Sequence, residues 1–166
     1  ALDVGPTGKM LKPYGDLDFE DAVEIFARTI RLGAKDGCDL VFIETMNDSY
    51  EAKAAVLAAK ENCDLPVMAT VALGEDGKLL TGADVECVAT LLEGLRVDAM
   101  GLNRGFGPDL MLPYVQRLAR MTSIPIAVKP TAGLPKSENG RTVCTVGPDD
   151  FAKDVLELVK AGAGFG

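Results

Sequence analysis

Residues 98–108 read Asp98-Ala99-Met100-Gly101-Leu102-Asn103-Arg104-Gly105-Phe106-Gly107-Pro108. Apolar residues run into Gly101, polar Asn103 and Arg104 follow, and a glycine-rich turn leads to a proline that can open a helix. This is the pattern of a buried parallel strand ending in a sharp βα turn. In α/β folds that end of the strand is where chemistry is placed.

The same unit recurs outward from this stretch. A continuous apolar run at 39–45 ends in Glu44-Thr45, another occupies 66–73, and Ile124-Pro125-Ile126-Ala127-Val128-Lys129 closes on a cation. Unbroken runs of this length suit strands buried on both faces. A short apolar stretch at 1–5 precedes the turn Gly5-Pro6-Thr7-Gly8. Between the runs, apolar spacing of three and four predicts helices over 19–32, 50–61, 84–95, 109–121 and 149–159. Asp18, Asp48 or Ser49, and Asp84 supply the caps. Residues 130–147, rich in Gly, Pro, Ser and Asn, read as one long loop, and 161–166 read as the start of another strand. Strand and helix alternating five times predict an α/β fold: five βα units with a parallel sheet, in a single domain over residues 1–166. Right-handed crossovers leave two arrangements, an arc of a barrel or a flavodoxin-like doubly wound sheet.

The bulk composition bounds the function. The chain has 166 residues, 48% hydrophobic, enough for a sizeable core. A net charge of −8 disfavours nucleic acid and anionic membrane surfaces as partners. No apolar run approaches the roughly 20 residues of a membrane span, and no signal-peptide pattern opens the sequence. Cys38, Cys63, Cys87 and Cys144 are widely spaced without a Cys-x-x-Cys pair, which reads as reduced thiols in a cytoplasmic protein. Histidine is absent, removing the usual general base and the commonest metal ligand. Neither a dinucleotide fingerprint nor a Walker loop occurs.

In a parallel sheet the strand tips share one rim, so Thr7, Glu44, Asn103, Arg104 and Lys129 become neighbours. A carboxylate after Val-Phe-Ile is costly unless it meets a partner. Glu44 therefore either recognises a ligand ammonium group or forms a salt bridge to Lys129 or Arg104. Asn103 either donates to a ligand carboxylate or caps its own turn. Thr7, in a glycine-flanked turn, is a weak candidate for anion binding through backbone amides. Arg104 with Lys129 would make the rim a site for small anions.

Several motifs, in order, carry a resemblance: Asp3-Val4-Gly5-Pro6-Thr7-Gly8, Ile43-Glu44-Thr45-Met46 with Asp48, and Tyr50-Glu51-Ala52-Lys53-Ala54-Ala55. Leu80-Thr81-Gly82, Gly101-Leu102-Asn103, Gly107-Pro108, Lys129-Pro130, Ala132-Gly133-Leu134-Pro135 and Asn139-Gly140 continue it. Together they make the chain resemble the homocysteine-binding domain of cobalamin-dependent methionine synthases. The resemblance implies a TIM barrel, of which this chain would hold the third to seventh of eight units. It implies homocysteine as ligand, contacted by Glu44, Asn103 and Thr7, and a thiol activated on zinc for methyl transfer. Zinc and cobalamin are the cofactors of the parent family. Its zinc ligands are a cysteine directly after the Gly-x-Asn tip and a later Cys-Cys pair. Here the first position is Arg104, whose guanidinium has no lone pair for a metal. Thr131 replaces the usual Asn, and the sequence ends at Gly166 before a Cys-Cys turn. The expectation is a non-catalytic fragment with no cofactor of its own and weak homocysteine contacts. It would associate with itself through open sheet edges. The alternatives are an engineered half-barrel scaffold and a small-anion binding module.

Overall fold

All five buried apolar runs become parallel strands in the computed structural model, which describes residues 1–133, 136–138, 141–144 and 146–165. The principal elements alternate as the sequence pattern predicts: β1 (Leu2–Val4), α1 (Phe19–Lys35), β2 (Val41–Met46), α2 (Ser49–Asn62) and β3 (Val67–Val71). There follow α3 (Val85–Gly94), β4 (Ala99–Asn103), α4 (Pro108–Met121) and β5 (Ile126–Lys129). A short antiparallel pair, β6 (Lys136–Glu138) and β7 (Arg141–Val143), precedes α5 (Pro148–Lys160) and β8 (Ala163–Phe165).

The main sheet has six strands in the order β1-β2-β3-β4-β5-β8, every neighbour parallel. This order settles the choice between the two arrangements. A doubly wound sheet needs a point where the strand order reverses and helices change face. Here each strand is added beside its predecessor and each helix packs on the next, α1 on α2 through to α4 on α5. All crossovers therefore lie on one face, the geometry of a barrel arc.

Side-chain alternation divides the sheet accordingly. Val41 and Ile43, Val67 and Ala69, Met100 and Leu102, and Ile126 and Val128 are buried under the helices. Between them Phe42, Glu44, Met68, Thr70, Gly101, Asn103, Ala127 and Lys129 face the opposite, inner side. The helices complete the core with small residues where they crowd. Ala52, Ala54, Ala55, Ala58 and Ala59 of α2 are all buried, because α2 is covered by α1 as well as by the sheet. In α1 the buried stripe is Ala22, Phe26, Ala27, Ile30 and Gly33, a helical period.

The terminal stretch read as the start of another strand is one: Ala-Gly-Phe pairs with β5 as the sixth strand of the main sheet. One feature departs from the sequence reading. Residues 130–147 are not one irregular loop but carry the β6–β7 ladder. Leu134, Pro135, Asn139 and Gly140 of the resemblance motifs lie outside the described residues.

Candidate functional site

The parallel strands end on the same rim, and the tips of β2, β4 and β5 interlock through Glu44. Asn103, the last residue of β4, is fully buried. Its Oδ1 accepts a hydrogen bond from the Thr45 backbone N–H at 2.9 Å. Its Nδ2 donates to Thr45 Oγ1 at 2.5 Å and to Glu44 Oε2 at 3.2 Å. On the other side Lys129, which pairs with Asn103 in the β4–β5 register, donates from Nζ to Glu44 Oε2 at 2.8 Å. The salt bridge anticipated for Glu44 thus forms, and the partner is Lys129. Asn103 does not cap its own turn; it ties β4 to the tip of β2, which is not its neighbour in the sheet.

The local backbone explains how these groups converge. The β2–β3 register shifts between Ile43 and Met46, a bulge of the kind that re-aims side chains at barrel rims. Thr45 sits in that bulge at φ 59°, and Arg104 at φ 56°. Neither is glycine, and Thr is β-branched, so both left-handed conformations carry strain of roughly 1–3 kcal/mol. The Asn103 carboxamide holds Thr45 in place through both its backbone and its side chain. Arg104 is held by its backbone N–H, which donates to the Lys129 carbonyl at 3.1 Å. Strained residues held in this way cluster at functional sites.

Glu44 is the electrostatic centre. The Lys129 ammonium bonded to it holds its carboxyl below the usual carboxylate range, against partial burial, and the Arg104 charge helps. Its side chain is 19% exposed. Oε2 carries both described hydrogen bonds, from Lys129 and Asn103, while Oε1 accepts none among the described residues. Lys129 also lies 5.3 Å from the Phe42 ring centroid, on the inner face. Deeper on that face Thr70, in register with Gly101, has a buried hydroxyl with no partner among the described residues.

A folded carboxyl titrating below its unfolded value stabilises the chain above about pH 4.3, where an unstructured glutamate is ionised. That contribution is lost as pH falls through the lower folded value. Acid titration monitored by circular dichroism is expected to show this loss in the wild type and a smaller one in Lys129→Met. Identical acid profiles would contradict the pairing.

Thr7 occupies the neighbouring tip, but its donors are engaged. Its backbone N–H and hydroxyl donate to Glu51 Oε1 at 2.7 and 2.6 Å. Glu51, in the first turn of α2, is 2% exposed. It clamps the β1–α1 loop to the rim; it falls within the Tyr50–Ala55 motif of the resemblance, where the sequence gives it no role of its own. Asp48 caps α2 through the Tyr50 N–H and also accepts from Thr81 Oγ1 at 3.0 Å. These two buried carboxylates fix the loops around the site rather than entering it.

The donor set does not suit the metal that the resemblance implies. Among the described residues no group of three or more His, Cys, Asp or Glu could hold a metal ion. Arg104 stands at the tip where a thiolate would be needed, and its guanidinium cannot ligate. The described residues therefore do not fit zinc. No described helix is long and apolar enough to cross a membrane.

Fold and site together define an arc of a βα barrel with a polar rim. The chain belongs to the homocysteine S-methyltransferase family, whose profile matches residues 1–165. It is 35% identical over 134 residues to methionine synthase from Mycobacterium tuberculosis, a match covering 77% of this chain and 11% of that protein. With methionine synthase from Mycobacterium leprae it shares 31% identity over 162 residues, covering 94% of this chain and 13% of the other. The chain thus spans only about a tenth of these relatives. Among solved structures, the apo homocysteine methyltransferase MmuM from Escherichia coli superimposes with a TM-score of 0.76. That match covers 97% of this chain and 54% of that one at 20% identity. N-acetylneuraminate lyase from Mycoplasma synoviae matches with a TM-score of 0.55, covering 99% of this chain and 54% of that chain. Such matches, to TIM-barrel proteins over about half their length, bear out the barrel-arc expectation.

Proposed function

We propose that the rim of this chain binds the amino-acid moiety of a homocysteine-like ligand without activating a thiol on zinc, and that the chain by itself is non-catalytic. The observation that carries the reading is the state of Glu44. Its carboxylate is held ionised by Lys129, with help from the Thr45 hydroxyl, and is pinned through Oε2 by Lys129 and Asn103, while Oε1 makes no hydrogen bond to the other described residues. A pinned carboxylate with a spare oxygen is suited to a ligand ammonium group, because its orientation is fixed before binding. Asn103 acts as a positioning residue, since its carboxamide is committed to Thr45 and Glu44. Thr7 shapes the neighbouring loop through Glu51.

Family membership supports the ligand class, and Arg104 argues against the methyl-transfer step. In this reading a thiol substrate would find a cation at the tip and no thiolate to share a metal with. The test is calorimetric titration of the chain with L-homocysteine and with N-acetyl-L-homocysteine, which lacks the ammonium group. Binding is expected for the first and not for the second, and Glu44→Gln should abolish the difference. Equal binding of both compounds by the wild type would overturn the role assigned to Glu44.

A further inference from the structure

The loops beyond the strand tips enclose a cavity of about 250 Å³, and Glu44, Asn103 and Lys129 are not in its lining. Leu11 to Tyr14 of the β1–α1 loop, Asp48 to Tyr50 at the start of α2, and Thr81 of the β3–α3 loop line it. Asp48 is the buried charge among them, at 4% exposure. Its Oδ1 takes both described hydrogen bonds, from the Tyr50 N–H at 2.9 Å and from Thr81 Oγ1 at 3.0 Å. These fix the carboxylate plane. Its Oδ2 accepts none among the described residues. Nor is Oδ2 sealed in the core: among the described residues the buried side-chain oxygen without a partner is the Thr70 hydroxyl. Oδ2 therefore keeps contact with open space, and the space Asp48 lines is this cavity. Glu51, the other buried rim carboxylate, does not line it.

The remaining lining is set for a cation with an apolar stem. The Tyr50 ring is held from behind by Phe19, stacked at 4.5 Å between centroids, and stays 44% exposed. Tyr14 is 73% exposed. Its loop is closed by the Tyr14 N–H donating to the Leu11 carbonyl at 3.0 Å and the Lys12 N–H to the Leu17 carbonyl at 2.9 Å. Lys12, the one cation of the lining, is bonded to Asp18 at 2.9 Å rather than to Asp48. We propose that this cavity binds small primary alkylammonium ions, the ammonium donating to Asp48 Oδ2 and the stem lying against the tyrosine rings. A desolvated carboxylate oxygen gains most from a charged donor, and phenol faces attract the same charge. A quaternary ammonium has no N–H to donate, and an anion meets a fixed negative charge. The volume lies just below the range of drug-sized pockets, which confines the stem to a few carbons. The inference does not rest on the reading of Glu44.

The test is an NMR titration of the chain with n-butylammonium chloride at neutral pH, with n-butanol and sodium butyrate as the neutral and anionic counterparts. The ammonium ion is expected to shift the amide signals of Tyr14, Ser49, Tyr50 and Thr81. It should bind at least about tenfold tighter than n-butanol, the scale of one charge-assisted hydrogen bond, and butyrate should not bind. Asp48→Asn keeps an acceptor for the Tyr50 N–H, since Asn caps helices as well as Asp. It removes the charge and should bring n-butylammonium down to the level of n-butanol with a cooperative melt. Tyr14→Ala alters an exposed ring, so it should weaken binding several-fold at an unchanged melting midpoint, and it decides the matter if Asp48→Asn fails to fold. Absence of n-butylammonium binding, affinity no greater than that of n-butanol, or full affinity in a folded Asp48→Asn would overturn the proposal. So would shifts centred on Thr45 and Asn103, which would place the ion on Glu44.

Discussion

Gly101→Ala is expected to destabilise the chain by about 3 kcal/mol or more, the upper end of the cost of overpacking a closed site. A Cβ at this position would lie 1.7 Å from the Ala127 carbonyl oxygen and 2.6 Å from its carbonyl carbon. The obstacle is the backbone of β5, so rotating a side chain cannot relieve it. Relief requires β4 and β5 to move apart where Gly101 pairs with Ala127, between the register pairs Met100–Ile126 and Leu102–Val128. Separation there also displaces Asn103 and Lys129, two residues further along the same pair. Stability and rim geometry should therefore fail together. Urea unfolding should show a midpoint shifted strongly downward in Gly101→Ala, and a loss below about 1 kcal/mol would show that β4 and β5 are not so closely apposed.

Asn103→Leu, nearly isosteric and apolar, is expected to cost on the order of 3 kcal/mol. The carboxamide is fully buried and makes three described hydrogen bonds. Its removal strips the Thr45 N–H of its acceptor and one donor from an ionised Glu44. Leaving buried partners unsatisfied costs roughly 1–3 kcal/mol each, more where one is charged. Thr45 also loses the contacts that hold it at φ 59°. Asn103→Asp separates the two effects. It keeps an acceptor for Thr45 but places a second carboxylate beside Glu44, so it should be worse at neutral pH than at acid pH. A midpoint for Asn103→Leu within about 0.5 kcal/mol of the wild type would show that the carboxamide does not hold the rim.

Much of this architecture could be read directly from residue order. Strands such as Val41–Met46 are buried on the helix side and crowded on the other, so they appear as unbroken apolar runs. Their polar ends, Glu44, Asn103 and Lys129, mark the rim for the same reason: a charge following such a run needs a destination. Strand order was not legible, because a barrel arc and a doubly wound sheet have the same local pattern and differ only in which neighbours pair. The β6–β7 ladder was missed because Lys-Ser-Glu and Arg-Thr-Val are polar without alternation. Only the Asn139-Gly140 pair between them signalled a hairpin. The strand Ala163–Phe165 was legible as the start of a strand, though three residues with a central glycine are too few to show a period or a partner.

At the site, sequence located the groups but not all their partners. Glu44 and Lys129 are 85 residues apart, and only the fold decides that Lys129 rather than Arg104 makes the bond. The role of Glu51 was hidden for the opposite reason. An acid in the first turn of a helix usually faces water, whereas here the β1–α1 loop folds over it and uses it as an anchor. Thr7 was weighed as a ligand contact, while the structure shows its amide and hydroxyl already donating inward.

The most direct measurement is calorimetric titration with L-homocysteine, once in excess chelator and once with one equivalent of zinc, alongside the metal content of the dialysed chain. A rim that binds through Glu44, with Arg104 where a thiolate would stand, predicts the same affinity in both titrations and no stoichiometric zinc. One zinc retained per chain, or homocysteine binding that appears only with zinc, would contradict it.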